Sequence, residues 1–107
     1  MPMIKVTGIS KEKVVKESKE LIDELVEIIK CPRDYFRIEL LDNTFIMDGS
    51  IVEAPQIIEV SWFDRGQEIQ DKVAESITKH FKKDEICLDV IFHSLKESCY
   101  YENGKHF

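Results

Sequence analysis

The chain is sparing with the residues that break structure or staple it. It holds four glycines, three prolines, three cysteines and one tryptophan in 107 residues. So little glycine and proline excludes a collagen-like or low-complexity chain. The cysteines (Cys31, Cys87, Cys99) are odd in number, widely spaced and without a CxxC pair. That argues against a disulfide framework and predicts a reducing, cytoplasmic setting. No apolar run is long enough to span a bilayer, and the N-terminal segment lacks the apolar core of a secretory signal. No membrane partner is therefore expected. Positive charge is also short: 15 Lys and Arg face 21 Asp and Glu, a net charge of -6. Lys11, Lys13, Lys16 and Lys19 alternate with Glu12, Glu17 and Glu20, and Lys82-Lys83 runs straight into Asp84-Glu85. Nucleic acid requires clustered, uncompensated cations, so it is not expected as a partner. His80, His93 and His106 have no ligand spacing, which predicts no metal.

What the chain does have is periodicity. Its composition, 43% hydrophobic and 34% charged, is globular, and its length suits one domain over residues 1–107. Residues 3–8 alternate, with Ile4 and Val6 on one face and Lys5 and Thr7 on the other, which predicts a short strand closed by Gly8. Ser10 is the expected N-cap of a helix whose stripe is Val14, Val15, Leu21, Ile22, Leu25, Val26 and Ile29. Cys31-Pro32 ends that helix, because the residue before proline avoids helical geometry. Residues 35–41 predict a second strand, with Phe36, Ile38 and Leu40 on one face. Residues 44–47 extend it to an Asp48-Gly49 turn.

The pattern then repeats. Residues 57–63 predict a third strand, with Ile58, Val60 and Trp62 aligned. Asp64-Arg65-Gly66 turns into a second helix with the stripe Ile69, Val73, Ile77 and Phe81, Asp64 being the expected cap. Residues 86–92 predict the fourth main strand, and a short aromatic tail turns at Asn103-Gly104. The two halves, about 1–52 and 53–107, correspond as strand–helix–strand, so one domain with internal pseudo-twofold symmetry is expected. Each main strand has one apolar face, which predicts two helices on the same side of one sheet. The other side mixes Lys5, Arg37, Glu39, Glu59 and Asp89 with Met3, Leu41, Ile57, Phe63 and Ile91. A subunit interface around a polar centre suits that mixture.

Pro2 stands directly behind Met1. A methionine before a small residue is usually trimmed, and trimming would leave Pro2 as a free secondary amine able to act as a general base. With the doubled unit in view, the chain resembles the tautomerase superfamily, which includes macrophage migration inhibitory factor and 4-oxalocrotonate tautomerase. It is most similar to an uncharacterised, double-length bacterial branch of it. The likeness runs over nearly the whole chain: Met1-Pro2, residues 36–41 (FRIELL), 60–71 (VSWFDRGQEIQD) and 100–107 (YYENGKHF). It implies an α+β two-layer β-α-β-β-α-β sandwich with four main strands, short added strands and two helices on one face. It implies a homotrimer with sites between subunits. It also implies a cofactor-free transfer of a proton between the enol and keto forms of a small 2-oxo acid, with Pro2 as base.

In the short tautomerases arginines hold the substrate carboxylate. Residues 31–37 resemble the segment leading into one of them, so Arg37 is a candidate, and Arg65, after the third strand, is another. The residue types suit the chemistry. A free α-amine has a reference pKa of about 7.7–8.0. Burial and nearby arginines disfavour its protonated form and bring it toward a working pH. Arginine offers a planar fork to a carboxylate. Trp62, Phe63, Tyr100 and Tyr101 are the candidate substrate-binding walls. Plainer roles stand beside these: an Arg37–Glu39 pair on one strand face, Tyr100-Tyr101 at a subunit contact, His80 at a helix end, and inert cysteines. Two other readings of the whole chain remain: a non-catalytic trimeric ligand-binding or interaction protein of the same fold, and an unrelated ferredoxin-like module.

Overall fold

The computed structural model describes residues 2–83 and 85–107. Its elements run β1 (Met3–Thr7), α1 (Lys11–Ile29), β2 (Arg37–Leu41), β3 (Phe45–Met47), β4 (Ser50–Val52), β5 (Gln56–Trp62), α2 (Gln67–Phe81), β6 (Leu88–Ser94), β7 (Tyr101–Glu102) and β8 (Lys105–His106). Single 3-10 turns, Arg33–Tyr35 and Glu97–Cys99, precede β2 and β7. Four strands form one sheet in the order β2-β1-β5-β6. β1 is parallel to β2, β5 is parallel to β6, and the two pairs meet antiparallel along β1 and β5. Each half thus supplies a strand, a crossover helix and a parallel strand, as a βαβ unit requires. The architecture is the expected α+β two-layer β-α-β-β-α-β arrangement.

Both helices cover one sheet face. Burial along β5 alternates strictly, with Ile58, Val60 and Trp62 inside. They meet Ile4 and Val6 of β1, Leu21, Leu25 and Ile29 of α1, and Val73, Ile77 and Phe81 of α2 in one apolar cluster. Full burial of such side chains stabilises by about 1.5–3 kcal/mol each before entropy is set against it. Val15 departs from the expected stripe and is 66% exposed. Adjacent helical residues differ by about 100°, so once Val14 faces the sheet, Val15 is carried to the flank.

Local signals set the helix ends. Ser10 is extended, and its hydroxyl accepts from the Lys13 amide at 3.3 Å. Ser10→Ala should lower stability by about 1 kcal/mol, read as a lower urea midpoint at unchanged slope. Lys30 closes α1 in the left-handed region at φ 60°. The expected cap of α2 is corrected: Gly66 is the N-cap, at φ 92°. Asp64 instead accepts from the Gly66 amide at 2.8 Å, folding the turn that presents Arg65.

Strand bounds differ from expectation where pairing decides them. β6 runs over 88–94 rather than 86–92, because its ladder with β5 starts at Gln56↔Leu88. Leu88, Val90 and Phe92 keep the inward face, whereas Ile86 lies outside the strand and is 46% exposed. Tyr35 falls in a 3-10 turn rather than in β2. Residues 50–52, outside the expected strands, are β4, paired with β3 about Asp48-Gly49. Both turn residues have positive φ, 51° and 77°, and Asn103-Gly104 joins β7 to β8 in the same way at 53° and 85°. Such turns match the right-handed strand twist.

The open sheet face carries exposed Lys5, Arg37, Glu39 and Asp89 beside half-buried Met3, Leu41, Ile57 and Phe63. Ile91 on this face is exposed, as are Ile46, Met47 and Ile51 of the first hairpin. Among the described residues no helix is long and apolar enough to cross a membrane.

Candidate active-site corner

Pro2 lies at the head of β1, between the two strands that flank it. On one side its carbonyl accepts from the Arg37 amide at 3.2 Å. On the other, the register Met3↔Ser61 brings it level with Trp62. Alternation puts Pro2 on the same covered face as Ile4 and Val6, and its ring is fully buried. Trp62 is also fully buried, its ring 5.1 Å from Phe92, and its indole Nε1 has no hydrogen-bond partner.

Arg65 belongs to this corner. The Asp64–Gly66 turn folds it back, so that its guanidinium lies 5.7 Å from the Trp62 ring centroid and donates to the Phe63 carbonyl at 2.6 Å. Its charge also reaches Cys31: burial pushes that thiol up, and Arg65 partly offsets the rise. The inert-cysteine reading fits a raised thiol. The influence of Arg65 on Cys31 was not legible, since the two lie far apart in the chain and no local pattern links them. A cation over an indole, half withdrawn from water, acts on a nearby anion or amine more strongly than in bulk solvent.

Arg37 is held differently. It is exposed and donates to the carbonyls of Asp34 at 3.2 Å and Phe36 at 3.4 Å. Among the described residues it makes no ion pair with Glu39, which corrects that expectation. The guanidinium curls toward its own 3-10 turn instead of running along the strand. Its backbone meets Pro2, while its side chain stands on the open face.

The aromatic candidates separate. Phe63, Tyr100 and Phe107 form one cluster, with centroids 5.1–5.7 Å apart. Tyr101 is 62% exposed and packs edge-on against His106. Trp62 is on the covered side, so within one chain it does not share a wall with Phe63. Phe107, absent from the candidates, joins the cluster because its amide bonds the Tyr100 carbonyl at 3.1 Å. The Asn103-Gly104 turn was the available signal, since a hairpin there brings the last residue back to the first.

Of the described His, Cys, Asp and Glu residues, Glu17, Glu20 and His80 place ligand atoms within 4.8 Å of one another. Two of the three, Glu17 and His80, already belong to an ion-pair network. The His80 ring bonds Glu17 at 2.9 Å and Glu24 at 2.6 Å, one carboxylate to each nitrogen, and neither is left for a metal.

The sheet order, the paired βαβ units and the proline at the head of β1 define a tautomerase/MIF-like fold. The chain belongs to the family described as Domain of unknown function (DUF1904), which matches residues 1–106. A DUF1904 structure from Sebaldella termitidis ATCC 33386 is 42% identical, with all of both chains covered and a TM-score of 0.91. A protein of unknown function from Vibrio cholerae O1 biovar eltor str. N16961 is 28% identical over 99% of this chain and 87% of that one, at 0.87. A macrophage migration inhibitory factor-like protein from Entamoeba histolytica is 16% identical over 99% and 98%, at 0.64. A fused 4-OT described as an asymmetric trimer is 15% identical over 97% and 94%, at 0.70. These last two share the fold. Among curated proteins there is no match.

Proposed function

We propose that the protein is a cofactor-independent tautomerase that moves a proton between the enol and keto forms of a small 2-oxo acid. The observation that carries this reading is the seating of Pro2 at the head of β1, with the Arg65 turn packed against the tryptophan level with it. Removal of Met1 would free the Pro2 amine. The amine takes a proton from the enol oxygen or from carbon and returns it to the other atom. A buried base beside a cation loses its proton more readily than one in water. Arg65 binds the carboxylate or the developing oxyanion, and Arg37, on the open face, serves a site completed by a neighbouring chain. Phe63, Tyr100 and Tyr101 wall the substrate, and Trp62 backs Arg65 from the covered side.

The reading includes a homotrimer and a cytoplasmic setting. The exposed apolar residues of the open face and the first hairpin support the first, as does the description of the fused 4-OT as a trimer. Three free thiols are consistent with the second. A structure of a fold relative, 17% identical over 98% of this chain and 94% of that one at a TM-score of 0.68, is described as inactivated by 2-oxo-3-pentynoate, a 2-oxo acid. One observation favours the non-catalytic trimeric ligand-binding reading instead: the complete burial of the Pro2 ring.

Three readouts on untagged protein from cells test the proposal. Intact mass is expected to lack one methionine. Sedimentation at micromolar concentration is expected to give three times the 12.5 kDa chain mass. Enol absorbance of a panel of 2-oxo acids is expected to decay faster with protein present. Retained Met1, or a trimmed protein inert toward every acid, would transfer the case to the ligand-binding reading.

A further inference from the structure

A second polar recess lies at the far end of the sheet, at the head of β5. Its place follows from the register. Met3 of β1 faces Arg37 of β2, as Ile57 of β5 faces Asp89 of β6. Gln56 therefore stands in the second half where Pro2 stands in the first. Beside it is a cavity of about 420 Å³, lined among others by Ser10, Lys13, Glu53, Gln56 and Lys83. That volume is at the small end for ligand sites and suits a metabolite. The walls are held close by Gly8: at φ 82°, a Cβ there would lie 2.1 Å from the Pro55 carbonyl oxygen.

The chemistry of the two walls is opposite. On one are the α1 N-terminus at Ser10, Lys13 and Lys83. Lys13 is anchored there, its ammonium donating to the Lys82 carbonyl at 3.4 Å. A helix N-terminus flanked by lysines favours an anion. On the other wall are the Glu53 carboxylate and the Gln56 side chain. Gln56 is 6% exposed, and its Oε1 is buried with no hydrogen-bond partner. A buried acceptor left unpaired is unfavourable, and a donor entering the recess relieves that cost after a turn of the carboxamide.

We propose that this recess is a binding site for a free amino acid. The carboxylate sits at the α1 N-terminus between Lys13 and Lys83, and the ammonium sits against Glu53 and Gln56 Oε1. A 2-oxo acid meets only half of these demands: it carries the anion and no donor, and it leaves both acceptors bare. Among the described lining residues, two lysines and the helix end stand against Glu53, so an amino acid with a second carboxylate is the better match. The site is independent of the chemistry at Pro2.

The test is NMR titration of the full chain with L-glutamate and separately with 2-oxoglutarate, which differs at the amino group. L-Glutamate at millimolar concentration is expected to move the amides of residues 8–13 and 53–56. 2-Oxoglutarate is expected to bind there at least about tenfold more weakly. Lys83→Ala and Glu53→Gln, both on exposed side chains, should each weaken L-glutamate about tenfold with the spectrum otherwise intact. Absence of shifts in those two segments, equal binding of the two acids, or variants that bind like the parent would each overturn the assignment.

Discussion

Protein that keeps Met1 is expected to show no enol–keto activity. With Met1 attached, the Pro2 nitrogen is a tertiary amide whose lone pair is delocalised into the carbonyl, so it cannot accept a proton at working pH. A positioned general base contributes about 10²–10⁴-fold, and the acylated form should lose all of that. Pro2→Ala after trimming keeps a primary amine but loses the buried ring that fixes the strand head, so it should fall between the two. Arg65→Ala should lower kcat/KM by about 10–100-fold. Arg65→Lys should restore little of it, because a point charge replaces neither the planar fork nor the stack on Trp62. The check is the initial rate of enol decay for each form, with circular dichroism and sedimentation unchanged. Equal rates for the trimmed and acylated proteins would remove Pro2 from the mechanism. If no form is active, the ligand-binding reading stands in its place.

Much of the fold was legible because it is written at short range. The alternation of Ile4 with Val6 and of Ile58, Val60 and Trp62 fixes which face is covered, and Ser10 and Pro32 bound the first helix. Asp48-Gly49 and Asn103-Gly104 declare hairpins because few residues besides glycine and asparagine tolerate positive φ. The errors arose where a distant partner decides the outcome. β6 starts two residues late because β5 supplies its ladder, and β4 exists because β3 is there to pair with it. The corner around Pro2 was legible in part. Arg65 was visible as a cation in a tight turn, but its stack on Trp62 and its influence on Cys31 depend on tertiary packing. Arg37 and Glu39 share a strand face as expected, yet the arginine found closer acceptors in the carbonyls of its own turn.

His80 shows the same limit, and it governs the pH dependence expected of the fold. The sequence places it in the last turn of α2, where a positive charge suits the helix end. It does not reveal that α1 brings Glu17 and Glu24 to opposite sides of the ring. The His80 side chain is 6% exposed. Burial lowers its pKa, but the hydrogen bonds it donates to Glu17 and Glu24, with their negative charge, outweigh this, and the net shift is upward. Glu24 is drawn down to about 2 by Lys79 first and then by His80 and Ser76. Glu17 is lowered, chiefly by its bond to His80. A raised histidine stabilises the fold fully below its unfolded value, near 6.5, and that stability is lost as pH rises through the folded value. The lowered carboxylates contribute above their unfolded value, near 4.3, and lose it as pH falls toward the folded one. The network should therefore be strongest between about pH 4.5 and 6.5. Within that window His80→Gln should cost about 2 kcal/mol, the scale of hydrogen bonds to charged groups. Glu24 is about a third exposed, so solvent screens its share, and the figure belongs to the histidine's bonds. Urea melts of both proteins at pH 5.5, 7 and 8.5 would measure the difference. It is expected to shrink steadily as pH rises, because neutral His80 holds two carboxylates less well than its cation does. A difference independent of pH would mean that the ring contributes by packing alone.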